Sequence, residues 1–79
     1  MPTIRRFSRC KIIMYFNEHP PPHFHVLTNS GEAAVFLIET LELRDGQVDR
    51  RDSAEALEWA AANREELIKQ WHKNCEEDR

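Results

Sequence analysis

Seventy-nine residues, 41% of them apolar and 32% charged, predict one soluble globular domain with no room for a second core. A chain of this size buries roughly 60% of the surface it exposes when unfolded, so its stability is modest and a contact with a partner or a second copy would add to it. No apolar run nears the ~20 residues of a membrane span and no signal-peptide pattern is present, which excludes a membrane role and makes the cytoplasm the expected compartment.

The net charge of −3 hides an asymmetry. Residues 1–16 carry Arg5, Arg6, Arg9 and Lys11 and no acid, while the remainder carries 14 acids against 7 bases. A basic edge on an acidic body can meet phosphate or the acidic surface of a protein. Four charges are too few to favour nucleic acid strongly. Cys10 and Cys75 sit near opposite ends and form no Cys-x-x-Cys motif. They read as reduced thiols, and a cysteine-pair zinc site is excluded.

In chain order, "CKIIMYFN" is a β-branched and aromatic run that places Ile12, Met14 and Phe16 on one side of a strand and Ile13 and Tyr15 on the other. Pro20, Pro21 and Pro22 then impose an extended connection. "HFHVLT" is a second strand, "NSG" a turn, and "EAAVFLIE" a third strand with Ala33, Val35 and Leu37 opposite Ala34, Phe36 and Ile38. The Asp45-Gly46 pair between short alternating segments signals a hairpin, with a fourth strand and room for a fifth.

Helices follow. Asp52 with Glu55 has the spacing of a cap, with Ser53 as an alternative, ahead of an apolar stripe at Leu57, Ala60 and Ala61. Asn63 with Glu66 repeats the signature ahead of Leu67, Ile68, Trp71 and Cys75. Two helices broken near Asn63 fit better than one, because a continuous helix would put Arg64 in the stripe. Trp59 and Trp71 read as packing residues, His72 as surface and the acidic end "EEDR" as solvated. The predicted domain spans 1–79, with the sheet over about 9–48 and helices over about 52–62 and 64–76. Strands followed by helices make the class α+β: a small antiparallel sheet of three to five strands packed against two C-terminal helices.

"MPTIRRF", "IIMYFNEHPPPHFHV", "IETLEL" and "EWA..NREELIKQW" together resemble a small prokaryotic family, domain of unknown function 4160, from about Pro2 to Trp71. Arg9 or Cys10 stands where its members usually have Gly, and Gln47-Val48-Asp49 where they have Leu-Pro after the turn glycine. The resemblance implies an α+β domain without an assigned activity. It also implies a gene neighbour of another short family, domain of unknown function 2442, in an arrangement similar to toxin–antitoxin pairs. A protein partner and an RNA-directed role are therefore expectations. No catalytic residue comes from the resemblance.

The histidines of "NEHPPPHFHV" carry the remaining chemistry. Strand alternation puts Phe24 and Val26 in the core and projects His23 and His25 together from the other, less buried face. Two imidazoles so spaced can share an ion, with His19 as a third ligand and Glu18 as an oxygen donor, in an arrangement suited to zinc or iron. Three prolines span roughly 9 Å if extended, so His19 would have to fold back. Alternatively His23 and His25 could act as base and acid in RNA cleavage, with Arg5, Arg6 or Arg9 as a phosphate clamp. The third reading is a binding module that needs no cofactor, whose surface combines Arg5, Arg6, Arg9, Lys11, Tyr15 and the histidines. The last is the leading expectation.

Overall fold

The computed structural model describes residues 3–16 and 18–76. The acidic end expected to be solvated lies outside these from residue 77 onward. Five strands come first: β1 (Thr3–Arg6), β2 (Cys10–Ile13), β3 (His23–Thr28), β4 (Ala33–Leu37) and β5 (Leu43–Gly46). Two helices follow, α1 (Arg50–Ala62) and α2 (Arg64–Glu76). The strands form a single antiparallel meander in chain order, the outcome of short links between neighbours. The fold is α+β, as the sequence predicts.

Register sorts the side chains. Ile12 pairs with Val26, Val26 with Ala34, and Phe24 with Phe36. The two phenylalanine rings stack with centroids 5.9 Å apart. This face, extended by Met14 and Ile38, packs against Ala56 and Ala60 of α1 and Leu67 and Trp71 of α2. The small alanines let α1 lie close on β2 and β3. The opposite face carries the rows Ile13–His25–Val35–Asp45 and Lys11–Leu27–Ala33. Helix α2 reaches this face at His23, where the Trp71 and His23 rings lie with centroids 4.9 Å apart.

The structure corrects several local expectations. The sheet begins at Thr3 rather than near residue 9, because the basic N-terminal segment is itself an edge strand. Its charges hide a strand whose one apolar member is Ile4, with Phe7 just past its end, and charge is how natural edges resist further pairing. Phe16 lies beyond the end of β2 and is exposed, not aligned with Ile12 and Met14. Asp45-Gly46 is not a hairpin turn: both residues lie in β5, paired with Val35 and Ala34. The reversal comes earlier, where the Leu41 N–H donates to Leu37 O at 2.9 Å and the Leu37 N–H to Glu42 O at 3.0 Å. Leu41 takes a positive φ of 63° there. Gly46 serves a different purpose, at φ 77°, by letting β5 approach β4 closely.

The cap of α1 is Asp49, not Asp52 or Ser53. Its carboxylate accepts from the Arg51 N–H at 2.8 Å. Asp52 falls in the first turn, and Ser53 is buried with its hydroxyl bonded back to Asp49 O at 3.2 Å. The buried stripe of α1 is Ser53, Ala56 and Ala60, and Ala61 is exposed. The break at Asn63 is as predicted, held by its amide donating to Trp59 O at 2.8 Å. Leu67 and Trp71 are buried, and His72 is exposed.

Cys10 and Cys75 are both free thiols. Burial pushes the Cys10 thiol up, and nearby Glu55 and Asp52 add to the effect against a backbone hydrogen bond from Ala56. A soluble alkylating reagent is therefore expected to modify Cys75 in the folded protein and Cys10 only after denaturation. Intact-mass measurement with and without denaturant checks this, and equal labelling rates would contradict it.

Gly46 supplies a second prediction. A Cβ there would sit 2.3 Å from Ala33 O and 2.9 Å from Ala34 Cα. At Gly31, with φ 96°, nothing lies within 4 Å. Both substitutions to alanine cost backbone energy, but Gly46→Ala should cost more, about 2–3 kcal/mol against about 1. Urea unfolding of the two variants measures the gap, and equal values would remove the close-approach argument.

Candidate functional site at the start of the third strand

Chain alternation brings His23 and His25 to the same side of β3, and the loop before the strand folds back over them. The result is a carboxylate shared by two imidazoles. Glu18 Oε1 lies 2.6 Å from His25 Nε2, and Glu18 Oε2 lies 3.0 Å from His23 Nε2. His23 Nδ1 lies 2.8 Å from Pro21 O. A carbonyl can only accept, so Nδ1 carries a hydrogen. In a neutral ring that leaves Nε2 as a lone pair facing a carboxylate oxygen. The contact is favourable only with a proton or a cation between the two atoms.

Helix α2 holds this loop in place. The Asn74 side chain, itself buried, donates to Met14 O at 3.0 Å and accepts from Gln70 Nε2 at 2.7 Å. Cys75 Sγ lies 3.9 Å from Glu18 O. Trp71 lies against His23 with ring centroids 4.9 Å apart, and the Tyr15 edge meets His25 at 4.8 Å.

His23 is consequently buried, at 6% exposure, which corrects the expectation that both histidines occupy the less buried face. His25 is half-buried. Burial alone would push the Glu18 carboxyl up. Hydrogen bonds from His23 and His25, and the positive charge of those rings when protonated, together outweigh it and hold the group below its ordinary 4.5.

Among the described residues, Glu18, His23 and His25 form a group whose ligating atoms all lie within 4.8 Å of one another. His19, the expected third ligand, is exposed and outside this group. The prolines do not hold the segment straight, and the fold-back delivers Glu18 rather than His19. A pocket of about 330 Å³ adjoins the group, lined by Glu18, His19, His23, His25, Val35, Arg44 and Asp45. Arg44 and Asp45 are sequence-distant members that no local pattern announces. They come from β5 and meet the histidines only through sheet pairing.

The expected arginine clamp is not assembled around the histidines. The Arg5 guanidinium lies 5.8 Å from the Phe7 ring and 5.7 Å from the Trp59 ring, on the helix side of the sheet. Arg9 pairs with Asp52 of α1 at 3.6 Å. Arg6 pairs with Lys11 across β1 and β2, on the open face. The arginine that lines the histidine pocket is Arg44.

A small α+β domain with a one-sided helix layer and a carboxylate bridging two strand histidines is the class that this fold and site define. The chain belongs to the family described as "Domain of unknown function (DUF4160)", whose family model matches residues 10–72. The matched span takes in Glu18, His23 and His25 and leaves β1 outside. Neither the curated proteins nor the solved structures contain a match.

The bridging role of Glu18 makes stability depend on pH. A carboxyl whose folded value is depressed stabilises the fold fully above its unfolded value, and the contribution is lost as pH falls through the folded value. Glu18→Gln is therefore expected to cost about 1–3 kcal/mol near neutral pH. The gap to the parent should narrow as the pH drops below 4.5. Denaturant curves at neutral and acid pH measure both, and a gap that does not change with pH would show that the charge of Glu18 is not what stabilises.

Proposed function

We propose that the chain is a small protein-binding module, one component of a two-protein system of the toxin–antitoxin kind, which receives its partner on the sheet face that the helices leave open. The observation that carries the reading is the composition of that face. An open antiparallel face normally alternates to polar residues. Here it keeps Leu27, Val35 and Leu37, all partly exposed, with Tyr15 at 47% exposure beside His25. Apolar surface rimmed by charge marks a contact site more often than chance. Arg6 and Lys11 border it and suit an acidic partner surface.

The partner is a short protein of the kind called domain of unknown function 2442, encoded next to this chain in a prokaryotic cytoplasm, as the family's gene arrangement implies. Co-purification after co-expression with that neighbour supports the reading, with a dissociation constant of about 1 µM or tighter, equivalent to ~8 kcal/mol. Leu27→Glu on the open face is expected to weaken binding at least tenfold, and Ala61→Glu on the exposed side of α1 to leave it unchanged. A chain that stays unbound with its neighbour at tens of micromolar, or two variants that behave alike, would overturn the proposal.

A further inference from the structure

We propose that Glu18, His23 and His25 form a binding site for one divalent transition-metal ion, zinc or iron(II), with an open coordination position towards the pocket shared with Arg44 and Asp45. The starting point is the mismatch at His23. Its Nδ1 hydrogen is committed to Pro21 O, so in the neutral ring the Nε2 lone pair faces the Glu18 carboxylate across 3.0 Å, and either a second ring proton or a cation must lie between them. A metal ion resolves that contact by accepting electrons from both atoms. His25 Nε2, at 2.6 Å from the other carboxylate oxygen, is the third donor.

The outer contacts fit the same role. A histidine that ligates through one ring nitrogen usually donates its other N–H to a carbonyl or carboxylate, which fixes the tautomer and aims the lone pair. Pro21 O does this for His23. The Trp71 ring packs against the same imidazole and limits its rotation. Two imidazoles and one carboxylate are a donor set used by catalytic zinc and by non-haem iron(II), which keep at least one position for water or substrate.

The distances require little movement. With metal–ligand bonds near 2.0–2.1 Å and tetrahedral angles, donor atoms stand about 3.3 Å apart. The carboxylate meets the two imidazoles through different oxygens, at 2.6 and 3.0 Å, and a carboxylate that ligates through one oxygen keeps one of these contacts, opened by less than an ångström. The other two separations, each at most 4.8 Å, have to close by about 1.5 Å or less. His25 is half-buried and Glu18 sits on a loop, so side-chain torsions can supply these shifts. The pocket of about 330 Å³ beside the donors leaves room for a water or a small anion, which Arg44 would favour.

The test uses the full chain, purified without a polyhistidine tag and stripped with chelator. Titration with zinc alone, followed by calorimetry and by competition with a chromophoric chelator, is expected to give one ion per chain and a dissociation constant below about 10 µM. Zinc should also raise the melting temperature by several degrees. Cobalt(II) in its place should develop the visible absorption of a four- or five-coordinate centre. His25→Gln and Glu18→Gln should each weaken binding at least roughly tenfold. His19→Gln, at an exposed residue that lines the same pocket, should change it less than twofold. His25 is the half-buried member of the pair, so its variant carries the test if His23→Gln fails to fold by circular dichroism. Binding of less than about a tenth of an ion per chain with zinc in excess would overturn the proposal. So would an affinity that survives Glu18→Gln, or one that His19→Gln reduces as much as His25→Gln.

Discussion

The pairing of Phe24 with Phe36 is the constraint on which the rest depends. Their stacked rings lie in the centre of the core and pin the register of β3 against β4. A slip of one residue would exchange the two faces of β3. It would move His23 and His25 into the core and expose Phe24 and Val26. The apolar face is large enough, with Ile12, Met14, Phe24, Val26 and Ile38 fully buried, to make that slip prohibitive. The placement of the histidines is therefore a consequence of hydrophobic burial one residue away.

The second half of the arrangement depends on α2. Three prolines give the loop rigidity but no N–H of their own to donate. Asn74, Cys75 and Trp71 supply the missing contacts to Met14 O, Glu18 O and the His23 ring. Asn74 is the residue with most at stake, because its amide is buried and both ends of it are bonded. Truncating it would strand a carbonyl as well as release the helix. Packing and site geometry are thus coupled: the helix that closes the core also positions the carboxylate.

The basic N-terminal segment divides between two environments once it becomes β1 and its turn. Arg5 lies over Phe7 and Trp59 and acts mainly as packing. Arg9 makes an exposed pair with Asp52, worth little in water. Arg6 and Lys11 remain on the open face beside Leu27. The charge asymmetry visible along the chain therefore does not become a single basic patch. Arg6 of the edge strand and Lys11 of β2 are the two cations left on the side opposite the helix layer.

The sequence by itself determined the class and most of the periodic structure. Alternation in Ala33–Leu37 and His23–Thr28, and the helical spacing of Leu67 and Trp71, report burial directly, because apolar side chains must leave water. The break at Asn63 was legible for the same reason, since a continuous stripe would have included Arg64. Local signals misled where one residue type serves several purposes. Gly46 marks a close backbone approach rather than a turn, and Asp49 caps α1 ahead of two equally plausible residues. Only the tertiary structure decided that Glu18 and not His19 meets the histidines, that Arg44 and Asp45 join them, and that His23 is buried. Those outcomes depend on how a proline-rich loop folds back and on which strands are neighbours. Neither is encoded in spacing along the chain, since both are settled by contacts between residues as far apart as Met14 and Asn74.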